Sequence, residues 1–346
     1  MGLCGFFVLK CNLSLHLLQT YTCSSLRFSF TADIIMYMFI SDKWQDYRII
    51  DAGDGEKLER WGPVIVVRPD PQIIWPRMKP ESVWQKRHMH YYRSKSGGGR
   101  WEQKLPSAVK TNRLAATSSD IGELSKCRWT IAYKDLTFNI RPTDFKHMGL
   151  FPEQAANWDW VMDLIKKAKR QVRVLNLFGY TGAATVCCLC AGADVTHVDA
   201  AKGMNVWAKD NIKASSIKGQ TCRIMTDDVY KFVRRELRRG SFYDGIMLDP
   251  PSYGRGPSGE IWKIENRLYD LLNCCADILS DRPLFMLLNT YTTGFTATAA
   301  ENVLRLALKK RGLTGKITGG SLGLPIGDSE LILPCGISVR CTFTYS

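Results

Sequence analysis

This sequence is short of acid. Only 33 Asp and Glu stand against 47 Lys and Arg in 346 residues, a formal net charge of +14. Such an imbalance suits a polyanionic partner, most simply nucleic acid. Residues 1–35 are short of charge altogether, with Lys10, Arg27 and Asp33 alone, yet no apolar run there reaches the ~18 residues of a membrane span. The opening MGLCGFFVLK has neither the basic start nor the small-residue cleavage site of a secretory leader. Its Phe6 stands where a myristoylation signal needs Ser or Thr. Residues 1–37 are therefore expected to be an extension outside the folded protein, with Met36 or Met38 as the natural start. Twelve cysteines are present, but Cys187 and Cys190 have no second C-x-x-C pair to complete a zinc site. Cys187, Cys188, Cys190, Cys274 and Cys275 fall inside apolar helical patterns, where a thiol packs as a small hydrophobe. No metal, no membrane and a reducing, cytoplasmic compartment are the expectations. No internal repeat is visible.

With 45% hydrophobic and 23% charged residues the chain reads as soluble and globular, long enough for two domains. From Asp46 to Pro76, β-type runs (YRII, VIVV, QIIW) alternate with turns such as DAGDGE and RPDPQ. Arg77 to Arg113 then carries ten Lys/Arg against two Glu, with Trp84, Tyr91, Tyr92 and Trp101 interleaved and a glycine-rich tip, SKSGGGR. Cations there would meet phosphates while aromatic faces stack bases, so this hairpin is a candidate nucleic-acid surface. WTIAYKDLTFNI reads as a strand pair turning at Lys134 and Asp135, and a helix starts near Pro152.

From Val172 strands and helices alternate. Strands fit VRVLNLF, ADVTHVD, CRIMT, YDGIMLD and LFMLLNT; helices fit 182–191, 202–213, 228–239, 264–280 and 296–311. A last strand, 336–344, has no following helix and is expected to pair antiparallel. The fold class is α/β: a doubly wound, Rossmann-like domain over 146–346 behind a smaller β-rich domain over 38–145.

The stretch VLNLFGYTGAATVCCLCAGADVTHVDA has the form of a βαβ nucleotide site. Its loop, Gly179-Tyr180-Thr181-Gly182, lacks the close G-x-G pair of a dinucleotide fingerprint, which disfavours a pyrophosphate and suits a cofactor presenting only a carboxylate to the helix start. Asp199 ends the second strand, where it can accept from ribose hydroxyls, or cap the next helix. Asp227 and Asp228 close the third strand, placed for an adenine amino group, or for capping helix 228–239. LDPPSYGRG follows the fourth strand: two prolines fix a rigid loop and leave the Asp249 carboxylate and Pro250 carbonyl free to accept, with Pro251 beside them and Tyr253 able to stack on a flat ring. The glycines of 249–260 suit a loop that closes on substrate. Arg255 reads equally as a phosphate grip or a surface charge. His197 reads as a core residue and His147 as a candidate hydrogen-bonding group beside the cofactor.

FGYTGA, HVDA, TDD and DPPSY, in this order, resemble the class I S-adenosylmethionine-dependent methyltransferases. DYRIIDAGDGEKLERWG, FKHMGLFPEQAANWDW, DPPSYGRGPSGE and LPCGISVR resemble more narrowly the group related to the bacterial 23S rRNA cytosine-C5 and guanine-N7 methyltransferases, over about Asp46 to Arg340. CTFTYS and the N-terminal extension depart from that pattern. The resemblance implies S-adenosyl-L-methionine as cofactor and rRNA as partner. It implies cofactor contacts at Gln154, Phe178, Gly179, Tyr180, Thr181, Gly182, Asp199, Ala200 and Asp228, with Asp249, Pro250, Pro251 and Tyr253 facing the methyl acceptor. Cytosine C5 needs a cysteine adduct, and no Cys occurs from Phe242 to Leu272 or in LFMLLNTYTTG. A ring or exocyclic nitrogen is thus favoured as the target. A methyltransferase for small molecules or proteins, an NAD-dependent oxidoreductase and a silent RNA-binding module are the alternatives.

Overall fold

A computed structural model describes residues 37–94, 98–103, 128–256 and 259–344, all within one compact unit. Of the expected N-terminal extension only Tyr37 is described, and it opens strand β1 (Tyr37–Ile40). A five-stranded sheet follows, in the order β2 (Tyr47–Gly53), β3 (Glu56–Trp61), β4 (Val64–Pro69), β5 (Met89–Arg93), β6 (Gly99–Gln103), with the single turn α1 (Glu81–Trp84) after β4. Asp54 and Gly55 both take positive φ, 53° and 80°, the type I′ geometry that lets β2 and β3 pair across two residues.

The basic, aromatic stretch behaves differently from its sequence reading. Part of it, 95–97 and 104–113, lies outside the described residues. In the rest, three of the four aromatic rings belong to the core: Trp84, Tyr91 and Trp101 are buried. Strand alternation turns Tyr91 and Trp101 inward, where they meet edge to face at 5.1 Å. Trp84 donates to Asp51 at 2.9 Å and carries the Arg77 guanidinium 3.9 Å above its ring. Apolar burial outcompeted exposure, so these three rings have no free face for stacking bases.

The pair β7 (Trp129–Tyr133) and β8 (Leu136–Ile140) turns at Lys134, φ 52°. Its inward residues pack with Trp158 of α2 (Ala155–Ala168), which follows a 3-10 turn at Pro152–Gln154.

The large sheet alternates with helices thereafter: β9 (Arg173–Leu177), α3 (Ala183–Cys190), β10 (Asp194–Asp199), α4 (Lys202–Ala214), β11 (Cys222–Thr226), α5 (Val229–Arg238) and β12 (Gly245–Leu248). A short hairpin, β13 (Tyr253–Arg255) and β14 (Ile261–Lys263), precedes α6 (Ile264–Asp277), β15 (Phe285–Thr290), α7 (Ala297–Lys310), β16 (Lys316–Pro325) and β17 (Ile332–Thr342). Eight strands line up as β1-β16-β17-β15-β12-β9-β10-β11. β9, β10, β11, β12 and β15 are mutually parallel, and β17 runs antiparallel to both neighbours, as expected for the last strand. The architecture is the doubly wound α/β layer with a β-rich N-terminal part.

Strand β16 was not foreseen. Its KITGGSLGLP lacks a strand's composition because one of its glycines answers to a neighbour: a Cβ at Gly320 would overlap the Tyr37 carbonyl, so glycine there lets β1 pair alongside.

Candidate active site

Between β9 and β12 the strand order reverses, and the carboxyl ends of the parallel strands open there into a cleft. A narrow inner recess adjoins it. The loop after β9 builds one wall. Phe178 and Tyr180 hold positive φ, 56° and 52°, conformations that non-glycine residues rarely adopt and that surrounding structure must enforce. The enforcement is visible. The Tyr180 N–H donates to Asp199 Oδ2 at 2.8 Å, and Gly179 N–H to the Val198 carbonyl at 3.0 Å. A Cβ at Gly179 would overlap the His197 imidazole, which lies fully buried and shares a hydrogen bond of 2.9 Å between its Nδ1 and Thr185 Oγ1. His197 is therefore the floor under the glycine loop. Burial pushes its pKa down to about 4, which keeps it neutral. Gly182 caps α3 at φ 79°, and a Cβ there would stand 2.7 Å from that of Ala208. No side chain caps the start of α3, so its first amides face the loop without a side-chain acceptor.

Asp199 ends β10 as expected and accepts from two backbone amides, Tyr180 and Ala201, both at 2.8 Å. Burial raises its pKa, and these two donors pull it back. Asp228 both caps α5, accepting from Lys231 N–H at 2.8 Å, and lines the cleft. Asp227 does not line it: its carboxylate pairs with Arg235 on α5.

The opposite wall comes from β12 and β15. Asp249, Pro250 and Pro251 line the cleft, together with Phe178, Tyr180, Asp199, Ala200 and Asp228. Gln154, Gly179 and Thr181 line the inner recess. Asp249 is pushed up to about 7, first by burial and then by the negative charge of Glu153. Glu153 is itself buried and raised, chiefly by desolvation. Tyr253 stands apart: as the first residue of β13 it is 52% exposed and lines neither space.

Other aromatics take the place beside this wall. The Trp262 ring meets Phe178 at 5.0 Å, tilted by 59°, and donates to the Pro251 carbonyl at 2.6 Å; Tyr291 stands 5.5 Å from Phe151. The Tyr291 hydroxyl receives Gln154 Nε2 at 2.8 Å, and Gln154 Oε1 in turn receives Asn157 Nδ2 at 2.9 Å. Asn157 also donates to Asn289 at 3.0 Å and accepts from Arg340 Nε at 2.9 Å, so the relay reaches the far strands of the sheet. Sequence reading missed Phe151, Glu153, Trp262 and Tyr291. The YTTG after the fifth strand was the available signal for Tyr291; nothing local marked Trp262.

His147 borders the cleft, 5.4 Å from Phe151. Burial and the charges of Arg68, Lys146 and Lys57 lower its pKa to about 4. The β-rich part supplies that loop's anchor. Arg68 donates to the Lys146 carbonyl at 2.9 Å while its other nitrogens grip buried Glu59 at 2.6 and 2.7 Å. Burial alone would raise Glu59; Arg68 and Lys57 outweigh it and hold it at about 2. Arg255 also borders the cleft, and 249–260 contains strand β13, paired with β14 just beyond it, where a loop was expected. Among the described residues no group of three or more His, Cys, Asp or Glu could hold a metal, and no helix is long and apolar enough to cross a membrane.

A family model described as S-adenosylmethionine-dependent methyltransferase matches residues 114–282. A solved structure, the SAM-dependent methyltransferase from Agrobacterium tumefaciens, is 33% identical, with a TM-score of 0.79 and coverage of 89% of this chain and 94% of that one. The SMU.776 methyltransferase, complexed with SAH, shares the fold at 17% identity, a TM-score of 0.60 and coverage of 87% and 76%. Among sequence relatives, the ribosomal RNA large subunit methyltransferase K/L of Shewanella baltica is 29% identical over 264 residues, 72% of this chain and 32% of the relative. That of Syntrophotalea carbinolica is 28% identical over 187 residues, 53% and 25%. The chain thus spans about a quarter to a third of the length of these relatives.

Proposed function

We propose that this chain, which belongs to the S-adenosylmethionine-dependent methyltransferase family, methylates a base in RNA at a ring or exocyclic nitrogen. One observation carries the reading. The residues expected at the cofactor, Phe178, Tyr180, Asp199, Ala200 and Asp228, share a single cleft with Asp249, Pro250 and Pro251, expected at the acceptor. The lining fits the cofactor's parts. The uncapped amides of α3 suit the amino-acid carboxylate, Asp199 the ribose hydroxyls, and Asp228 the adenine amino group. When bound, S-adenosylmethionine supplies an electrophilic methyl group.

The chain's own groups handle the acceptor. The Asp249 carboxylate and Pro250 carbonyl accept N–H bonds, which orients a nitrogen, and Trp262 and Tyr291 offer aromatic walls to a planar base. With a pKa near 7, Asp249 can accept the proton that an amine gives up on methylation. No described cysteine lines the cleft. Cys335 lines neither space, and burial holds its thiol protonated, which supports nitrogen rather than C5 chemistry. The RNA reading rests on the names of the relatives and on the +14 charge, and a cytoplasmic location goes with it. The test is incubation with methyl-labelled S-adenosylmethionine and rRNA, then mass spectrometry of the nucleosides. Label on a base nitrogen is expected; label on cytosine C5 would overturn the nitrogen assignment, and unlabelled RNA the acceptor class.

A further inference from the structure

The hairpin beside the cleft has two unlike faces. Its register sets Tyr253 opposite Lys263, Gly254 opposite Trp262 and Arg255 opposite Ile261. Alternation therefore puts Gly254 and Trp262 on one side and the other four on the reverse. The inner face turns to the cleft: Trp262 packs against Phe178 and bonds the Pro251 carbonyl. Ser252 and Thr292 hydroxyls meet at 2.7 Å beneath one root, and Lys231 of α5 pairs with Glu260 beside the other strand. The outer face is bare. Tyr253 and Ile261 are each 52% exposed, and Arg255 and Lys263 are exposed beside them.

Positive charge continues from this face. Arg267 stands four residues beyond Lys263 on α6, and its guanidinium lies 5.9 Å from the Tyr230 ring. Arg234 of α5 approaches the same ring at 6.0 Å, and Arg238 follows one turn on. None of Arg255, Lys263, Arg267, Arg234 and Arg238 has a carboxylate within 4.0 Å among the described residues. Glu265 and Asp270 share the exposed side of α6, so the track is net positive rather than purely basic.

We propose that the outer face of this hairpin, with the cations running on along α6 and α5, holds the single-stranded RNA that flanks the base in the cleft. Tyr253 and Ile261 supply flat apolar surface for unstacked bases, and the five cations supply partners for the phosphates. Residues whose rings the sequence offered for this purpose, Trp84, Tyr91 and Trp101, are buried; the hairpin instead presents a ring and two cations at the cleft's own rim. The proposal rests on the RNA reading above and specifies where the strand lies.

The test is fluorescence anisotropy of a mixed-sequence single-stranded RNA of about 12 nucleotides, within the ~4–16 that such surfaces engage, titrated with the full chain across a salt series. A duplex of equal length and calorimetric titration of S-adenosylmethionine run alongside. Lys263→Gln/Arg267→Gln should flatten the slope of log K against log[salt] by about 1.4, ~0.7 for each phosphate deprived of its cation, with cofactor affinity unchanged. Tyr253→Ala should weaken the single strand about tenfold, in the range of a single base–aromatic stack. Wild-type binding that neither variant alters would overturn this placement while leaving an RNA acceptor intact. Preference for the duplex would overturn the single-strand assignment, and no RNA binding by wild type would remove the RNA reading itself.

Discussion

Asp199 and Asp249 face the same cleft from two halves of one sheet, and their surroundings differ in kind. Asp199 is clamped by two backbone amides at 2.8 Å, and the loop it holds has strained φ at Phe178 and Tyr180. Asp249 has burial and the like charge of Glu153 acting on it, which together raise it to about 7. The half proposed to hold the cofactor is thus fixed by main chain, while the half proposed to face the acceptor is tuned by desolvation and side chains. A permanent ligand-holding role suits the first arrangement and proton chemistry the second.

The largest expected effect comes from removing the tunable member. Asp249→Asn should lower kcat by about 10²–10⁴-fold, the usual contribution of a positioned acid–base group, in steady-state methyl transfer to RNA. On the cofactor side, Gly179→Ala forces a Cβ into the His197 ring and should cost about 1–3 kcal/mol of stability, as overpacking does, read from urea unfolding. Adding His197→Ala should return part of that loss, because the two side chains compete for the same space.

The pH profile sharpens the contrast. Asp249 is protonated below its pKa and ionised above it, so if the carboxylate accepts the proton, kcat should rise with pH to a half-maximum near 7. Glu153→Gln removes a negative charge that disfavours ionisation, so the half-maximum should move to lower pH. A profile that stays in place would break the proposed coupling. The smallest effect is expected at Tyr291→Phe, which deletes the Gln154 hydrogen bond and should cost about 0.5–1.5 kcal/mol, again in urea.

The clamped half was the legible half. A glycine turn after an apolar strand, and acids at the ends of the next two strands, are local patterns, and they located Phe178 to Gly182, Asp199 and Asp228 on the right elements. Helix ends fell within a few residues, as 202–213 against Lys202–Ala214 shows. Asp227 and Asp228 were indistinguishable by pattern; the helix start decides, turning one into a cap that faces the cleft and the other toward Arg235. The tuned half was less legible because its partners are distant in sequence. Glu153 comes to act on Asp249, Trp262 meets Phe178, and Asn157 meets Arg340 only after folding. Tyr253 sat next to the prolines in sequence, but strand alternation turned it outward. Likewise Gly320 reads as a strand breaker until Tyr37 is seen beside it.

One calorimetric experiment tests this division of labour most directly: titration of S-adenosylmethionine into wild type, Asp199→Ala and Asp249→Asn under identical conditions. The account predicts that Asp199→Ala loses at least about tenfold in affinity, the worth of a hydrogen bond to a charged group, while Asp249→Asn binds as wild type does. Equal weakening in both variants, or none in Asp199→Ala, would contradict it.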